Sequence, residues 1–260
     1  MRCVILCAGF ATRLYPLTRS VAKQLLPVAG RPVLDYVVEG LVGAGIEQGV
    51  LVSNHVFVDA FRSWADKRPF PMQLQILDDG TTSNDDRRGS IGDLWFALEQ
   101  ADIREDFLLV NGDNLFTFRL DGVLGTFRVR GNTIALYDVG SKTEAAKMGV
   151  AVCDSTGRVI GFEEKPKNPA TTVVSIGIYA YRAEVRALVD RYLSEGHSPD
   201  KTGSFVEWLH HQVPVYGHTI RTGEGLWFDI GSHEQYAEAN RMMEEYQQRQ
   251  RNSLPDLPRD

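Results

Sequence analysis

Short apolar runs alternate with amphipathic helical stretches through the first half of this chain, and no other feature narrows its fold as much. Strand-like runs fall at residues 4–7, 49–53, 74–77, 107–110 and 133–139, and helical patterns at 33–42, 56–66, 91–101 and 121–129. The helical pattern is clearest at 33–42. Positions 33, 34, 37, 38, 41 and 42 are apolar and share one helix face, and Gly43 and Gly45 end it. Ser90 is the expected N-cap of the 91–101 helix. Residues 107–110 read Phe-Leu-Leu-Val, apolar on both faces, as in strands covered by helices above and below. Strand–helix–strand alternation of this kind predicts an α/β fold with a doubly wound, mostly parallel, Rossmann-like sheet.

After residue 139 the pattern loosens. Strands are expected at 149–153, 158–164 and 173–181, the first two joined as a hairpin by Asp154-Ser155-Thr156-Gly157. Helices at 183–193 and 205–212, short strands at 215–220 and 226–230, and a long polar helix at 233–249 follow. No repeat or low-complexity linker divides the 260 residues, so one domain is expected over 1–250, with 251–260 as a tail. A hydrophobic share of 43% supports a core that needs neither disulfides nor a structural metal. The three Cys (Cys3, Cys7, Cys153) lack metal-ligand spacing, and two fall in the first strand, which fits buried thiols in a reducing, cytoplasmic setting. A formal charge of −6 argues against nucleic acid as a partner. No signal-peptide core and no apolar run of membrane-spanning length is visible, so no membrane partner is expected. The six His form no i,i+4 pair, which argues against a zinc site. Trp208, His210 and His211 fit either a core or a homo-oligomer interface.

Four segments carry chemistry. The first strand runs into Ala8-Gly9-Phe10-Ala11-Thr12-Arg13-Leu14, a small-residue loop whose backbone N–H groups can meet anionic oxygens. Arg13 has a planar fork of donors, and Lys23 follows in Lys23-Gln24-Leu25-Leu26-Pro27, so a polyphosphate is the matching ligand. Alone, the loop reads equally as a strand–turn with a solvated arginine. It is not a Walker A loop, since no Gly-Lys-Ser/Thr follows, and it lacks the three glycines of a dinucleotide loop. Asn111-Gly112-Asp113-Asn114 follows the 107–110 strand, at the sheet edge where ligands gather. There Asp113 is positioned to hold Mg²⁺ against phosphates, although the same residues also form turns. Gly161-Phe162-Glu163-Glu164-Lys165-Pro166 closes a strand. Alternation sends Phe162 and Glu164 to one face and Glu163 and Lys165 to the other, either as a solvated edge or as a sugar and phosphate contact. In Trp227-Phe228-Asp229-Ile230-Gly231-Ser232, Asp229 stands alone among apolar residues. It is either a strand-end cap or a carboxylate held by partners or a metal, since burying it unpaired is costly.

In this order and spacing the segments resemble the sugar-1-phosphate nucleotidylyltransferase family, in its short, glucose-1-phosphate thymidylyltransferase-like form without a C-terminal β-helix. The resemblance runs over roughly residues 1–245 and rests on Leu6–Thr18, Lys23–Pro27, Gly112–Asn114, Glu163–Pro166 and Trp227–Gly231. It implies that Leu6, Ala8, Gly9, Thr12 and Gly112 lie along the nucleotide, with Asp79 and Gly80 near the base and Arg13 and Lys23 on the triphosphate. It implies that Asp113 and Asp229 hold Mg²⁺, the one cofactor, and that Gly149, Glu164, Lys165 and Ser175 bind the sugar phosphate. Arg13, Lys23, Asp113 and Lys165 form the implied catalytic set. Residues 1–140 would then be a nucleotide-binding half, 141–230 a sugar-phosphate-binding half and 231–250 a C-terminal helix.

The implied reaction joins an NTP to a sugar-1-phosphate and releases pyrophosphate, with dTTP or UTP and glucose-1-phosphate as the leading pair. A cytidylyl- or guanylyltransferase acting on another phosphorylated metabolite is the alternative. A non-catalytic nucleotide sensor on the same fold is the competing class, though a sensor could drop any of Arg13, Lys23, Asp113, Lys165 and Asp229. Three departures leave base and sugar open. Ala11 replaces the second loop glycine. Residues 78–93 replace the base-reading Gln-x-x-x-x-Gly-Leu-Ala segment. Val174-Ser175-Ile176-Gly177 lacks the usual Thr-Gly.

Overall fold

The structure, a computed structural model, describes residues 1–68, 70–221 and 223–253. Strand β1 (Arg2–Leu6) leads through short 3-10 turns at Thr12–Leu14 and Lys23–Leu25 and a ribbon, β2 (Pro27–Val28) and β3 (Arg31–Pro32), into α1 (Val33–Gly43). β4 (Gln48–Ser53), α2 (Val58–Asp66), β5 (Gln73–Asp78), α3 (Ser90–Gln100), β6 (Phe107–Asn111) and β7 (Asn114–Phe116) follow. Next come α4 (Asp121–Arg130), β8 (Thr133–Asp138), α5 (Lys142–Ala145), β9 (Gly149–Cys153), β10 (Val159–Glu164) and β11 (Val173–Tyr181). α6 (Val185–Ser194), α7 (Thr202–Leu209), β12 (Tyr216–Ile220), β13 (Trp227–Asp229) and α8 (His233–Ser253) complete the described chain.

Nine strands form one sheet in the order β10-β9-β11-β6-β1-β4-β5, with β8 paired to β11 and β12 to β8. β6, β1, β4 and β5 run parallel, as the alternating sequence predicts. The run at 133–139 does form β8, but β8 does not join β6. The antiparallel β11 is wedged between them. Helices cover both faces. Leu34, Val37, Val38 and Leu41 of α1, Phe61 and Trp64 of α2 and Phe127 of α4 bury one face. Ile91, Leu94 and Leu98 of α3, Val189 of α6 and Phe205 of α7 bury the other. Phe107, Leu108, Leu109 and Val110 of β6 are wholly enclosed, and each such side chain stabilises the fold by about 1.5–3 kcal/mol.

Register fixes where a ligand can bind. Leu6 pairs with Asn111, and Ser53 pairs with Asp78, so β1, β4, β5 and β6 end on one edge. The loops after them, including 8–13, 79–89 and 112–113, therefore gather on that edge, where open α/β sheets bind ligands.

Several boundaries differ from the sequence reading. Cys7 lies beyond β1. Ser90 is not a cap but the first residue of α3, and Gly89 takes the cap position with φ 79. The amides of Ser90 and Ile91 are instead satisfied by the carbonyls of Asp200 (3.3 Å) and Pro199 (2.8 Å). α7 begins at Thr202, three residues earlier than the apolar pattern suggests. Helix α8 runs to Ser253, so the expected 251–260 tail is helical at its start, and the rest of that tail lies outside the described residues. Within the expected helix, Gln247 Nε2 reaches the Tyr36 hydroxyl at 3.1 Å. Cys3 and Cys7 are buried as expected, whereas Cys153 is exposed.

Candidate active site

After β1 the chain turns its carbonyls inward. Asn54 Nδ2 donates to the Ala8 carbonyl at 2.9 Å, and Thr18 Oγ1 donates to that of Ala11 at 2.8 Å. Among the described residues no acceptor takes the amides of Gly9, Phe10 or Ala11. Ala11 sits in the left-handed region (φ 48, ψ 44) and the 3-10 turn at Thr12–Leu14 follows. A left-handed residue beside right-handed ones aims successive N–H groups to the same side, the geometry of an anion nest.

Lys23 comes from the second 3-10 turn, and its Nζ lies 2.5 Å from Asp113 Oδ2, with only 13% of the Lys23 side chain exposed. Asp113 occupies the turn between β6 and β7, where Asn114 Nδ2 donates to its Oδ1 at 3.0 Å. β7 pairs antiparallel with β13, opposing Asn114 to Asp229, so the second carboxylate is brought beside the first by strand register. Trp227 Nε1 ties the two strands by donating to Asn114 Oδ1 at 2.8 Å.

The electrostatics follow from this crowding. Burial, and then the charge of Asp113, raise the Asp229 carboxyl above its ordinary value, while Lys23, Lys165 and Arg13 oppose the shift. Burial alone would pull the Lys23 ammonium down, but Asp113 and Asp229 outweigh it and the ammonium is held above its ordinary value. Two hard carboxylates, one of them buried and repelled by the other, form a donor set that suits Mg²⁺, which takes one or two carboxylates and fills its shell with water and phosphate oxygens. Among the described residues no group of three or more His, Cys, Asp or Glu side chains could cage a metal without such help.

Asp113 stands at the junction of two cavities of about 220 Å³ each, which share Ser90, Asn111, Asp113 and Asp200. The first is lined by Leu6, Ala8, Gly9, Lys23 and Gln24. The second is lined by Gly149, Glu164, Lys165, Ser175 and Asp229. A third hollow of about 670 Å³ adjoins the second at Lys165 and Asp229 and takes Arg13 in its wall. The residues singled out from sequence thus converge from distant parts of the chain, with four exceptions that line none of these cavities. Thr12 is exposed at the start of its turn. Gly80 is an exposed turn residue whose amide donates to Asp78 Oδ1 at 2.8 Å. Gly112 lets the backbone pass Cys7, whose Sγ a Cβ would strike. Asp79 is buried, and its Oδ1 accepts from the Thr81 amide and hydroxyl, both at 2.7 Å.

The alternation argument failed at Lys165. β10 stops at Glu164, and Lys165 turns into the left-handed region (φ 57), its amide donating to the Met148 carbonyl at 2.9 Å. Period-two alternation ends with the strand, so Glu164 and Lys165 line the same cavity instead of opposite faces. Burial raises the Glu164 carboxyl, and Lys201 and Lys165 oppose it. Sequence reasoning did not single out Gln24, Asp93, Asn111, Asp200 or Lys201. Gln24 and Asn111 stood inside quoted motifs, and Asp93 closed the quoted 78–93 segment without being given a role of its own. Asp200 and Lys201 lie in a loop with no local signature.

Residues 2–246 match the nucleotidyl transferase family, and the chain belongs to that family. Among curated relatives it is 27% identical over 245 residues to a glucose-1-phosphate thymidylyltransferase of Streptomyces antibioticus, covering 93% of this chain and 65% of that protein. It is also 27% identical to a UTP–glucose-1-phosphate uridylyltransferase of Synechocystis, covering 93% of this chain and 63% of the relative. The chain thus spans just under two thirds of these relatives' length. A crystallised UDP-glucose pyrophosphorylase in complex with UDP-glucose shares the fold, with a TM-score of 0.78 at 19% identity over 94% of this chain and 98% of that one.

Proposed function

We propose that this chain transfers a nucleotidyl group from an NTP to a sugar-1-phosphate and releases pyrophosphate. The observation that carries the reading is the convergence of Lys23, Asp113, Asp229 and Lys165 where two cavities meet, with Arg13 in the adjoining wall. One cavity is flanked by the nest of the first loop and takes the nucleotide. The other takes the acceptor, with Lys165 toward its phosphate and Gly149, Glu164 and Ser175 toward its hydroxyls. On this reading residues 1–140 serve the nucleotide, 141–230 serve the acceptor, and 231–250 brace the first loop.

A phosphate oxygen of the acceptor attacks the α-phosphorus in line. The new O–P bond forms as the bond to the pyrophosphate oxygen breaks, and pyrophosphate leaves with the electron pair. The attacking oxygen is already anionic, so no general base is required, and the work is positioning and charge stabilisation. Arg13 and Lys23 hold the triphosphate and offset the charge that builds on the leaving group. Asp113 and Asp229 would hold Mg²⁺, which supplies further positive charge there.

The relatives named above use thymidylyl and uridylyl donors, which supports dTTP or UTP with glucose-1-phosphate as the family-based expectation. The altered 78–93 segment beside the first cavity is the specific observation favouring another base. A cytoplasmic setting belongs to the same reading; no helix among the described residues is long and apolar enough to cross a membrane. The test is a pyrophosphate-release matrix of five NTPs against a panel of phosphorylated acceptors with Mg²⁺. Release that requires both substrates is the expected result, and release without an acceptor would mean a hydrolase instead.

A further inference from the structure

Asn111 ends β6 after four wholly enclosed apolar residues, and like Asp113 it lines both the nucleotide cavity and the acceptor cavity. Its Oδ1 is turned into the protein, where no donor among the described residues meets it. A buried acceptor without a donor destabilises a fold, and an apolar residue would have continued the strand without that penalty. The nitrogen of the same amide is not enclosed in this way. Nδ2 donates to no other group among the described residues.

The neighbouring strand makes room for this amide. β11 breaks register between Ser175 and Tyr179, and Gly177 takes a φ of 72 within the break. A Cβ at Gly177 would stand 2.8 Å from Asn111 Nδ2 and 2.9 Å from Asn114 Nδ2. The two nitrogens therefore meet at the bare backbone of Gly177, in the wall of the acceptor cavity. Asn114 is already engaged, since its Oδ1 accepts from Trp227 Nε1 and its Nδ2 donates to Asp113 Oδ1. Asn111 Nδ2 is the donor left for a ligand.

Only where the two cavities join do nucleotide and acceptor touch, so a group there meets the acceptor's reacting end. A phosphate at that end offers lone pairs and no N–H. A cation at position 111 would compete for Asp113, as Lys23 does at 2.5 Å. A neutral amide can bind a phosphate oxygen and leave the carboxylate to a metal.

We propose that Asn111 Nδ2 holds a non-attacking oxygen of the acceptor's phosphate and so aims the attacking oxygen at the α-phosphorus. Lys165 grips the same phosphate from the end of β10, and two contacts from different strands fix its rotation. Gly177 is a positioning residue, because its missing side chain lets the amide lie where it does. This contact rests on the nucleotidyl-transfer reading above and adds one group to its acceptor site.

Pyrophosphate release at saturating NTP, with each acceptor of the panel varied in turn, tests it on the parent, Asn111→Ala and Asn111→Ser. Asn111→Ala should lower kcat/KM for the acceptor about tenfold or more, as expected when a donor to a charged group is lost. The factor should be similar for every acceptor that the parent turns over, because the phosphate is their common part. Asn111→Ser keeps a donor and should recover part of the loss. Calorimetric affinity for the same NTP in Mg²⁺, with no acceptor present, should change less than about twofold. Should Asn111→Ala fail to fold, Asn111→Asp takes its place; it keeps the shape, sets a negative charge against the phosphate and should lose at least as much. An unchanged kcat/KM for the acceptor would overturn the contact. So would a loss confined to some acceptors, which would mark a hydroxyl, or an equal loss of NTP affinity. Release by the parent with none of the pairs would overturn nucleotidyl transfer and this contact with it.

Discussion

Replacing Gly89 by alanine should damage the cleft through the backbone of its wall. Gly89 has φ 79 and ψ 161, a region that residues with a Cβ avoid at a cost of about 1–3 kcal/mol. A Cβ there would lie 2.6 Å from the Pro199 carbonyl oxygen and 2.8 Å from the Asp200 Cα. Both neighbours are backbone, so no side chain can swing away, and the 199–200 segment must move. That movement loosens the Ser90 and Ile91 amide bonds to the same segment, each worth about 0.5–1.5 kcal/mol. Together the terms come to about 2–6 kcal/mol. In a chain of this size that lowers Tm by roughly 4–24 °C. Thermal unfolding followed by circular dichroism measures it. Gly196→Ala is the control, because Gly196 also has a positive φ (80) but faces open space, and it should lose only the backbone part, about 1–2 kcal/mol. Equal losses at the two positions, or a Gly89→Ala melting point within about 2 °C of the parent, would refute the docking argument. Nucleotide and acceptor binding should weaken together in Gly89→Ala, since Asp200 lines both cavities.

Other outcomes follow from single contacts. Asp113→Asn should lower turnover by about 10²–10³-fold or more while Tm moves only a few degrees; full Mg²⁺-dependent turnover would remove Asp113 from the proposed metal site. Ala11→Gly should raise stability by up to about 1 kcal/mol by relieving a left-handed alanine, and an unchanged denaturation midpoint would mean that the loop carries no such strain. The Arg2 guanidinium, through its hydrogen bond and charge, holds Glu105 down to about 2, from an ordinary value of 4.5. A depressed acid stabilises the fold above its unfolded value and loses that contribution as pH falls through the folded one, so the loss belongs between about 4.5 and 2. The pair is partly solvated, so the effect should be small. Glu105→Gln should flatten that stretch of an acid-unfolding curve, and an unchanged slope would count against the pair.

Local pattern revealed the parallel strands because each is an apolar run between clear helical stretches, and the run at 107–110 could hardly be anything but central. The insertion of β11 between β6 and β8 had no local signal. Residues 173–181 would look the same in any antiparallel position, and only pairing across the whole chain decides it. The site was legible where chemistry and sequence coincide, as at Arg13, Lys23, Asp113 and Asp229, whose residue types and spacing suggested a charged ligand. It was illegible where a residue acts through a turn or a remote partner. Lys165 was singled out but its face was misread, because the strand ends at Glu164 and the backbone turns left-handed at the next residue. Asp93 escaped because an acid near the start of an apolar helical pattern gives no hint that packing buries it in the wall of the first cavity.

Helix α8 has a consequence for how the protein comes into being. His233 Nε2 lies 3.0 Å from the Tyr15 carbonyl across 218 residues of chain, the Tyr236 hydroxyl donates to the Pro27 carbonyl across 209, and Ala29 donates its amide to Asn240 across 211. Leu14, Leu26 and Val28, which flank the nest and Lys23, share a core with Ala239 and Met243. During synthesis the first loop therefore leaves the ribosome with its apolar backing still unmade. Contacts this remote in sequence pay the full entropy of loop closure before they stabilise anything, so they form late. The part of the cleft that is translated first is among the last to be finished, and on the proposed reading a nascent chain gains its grip on a triphosphate in one step, when α8 docks.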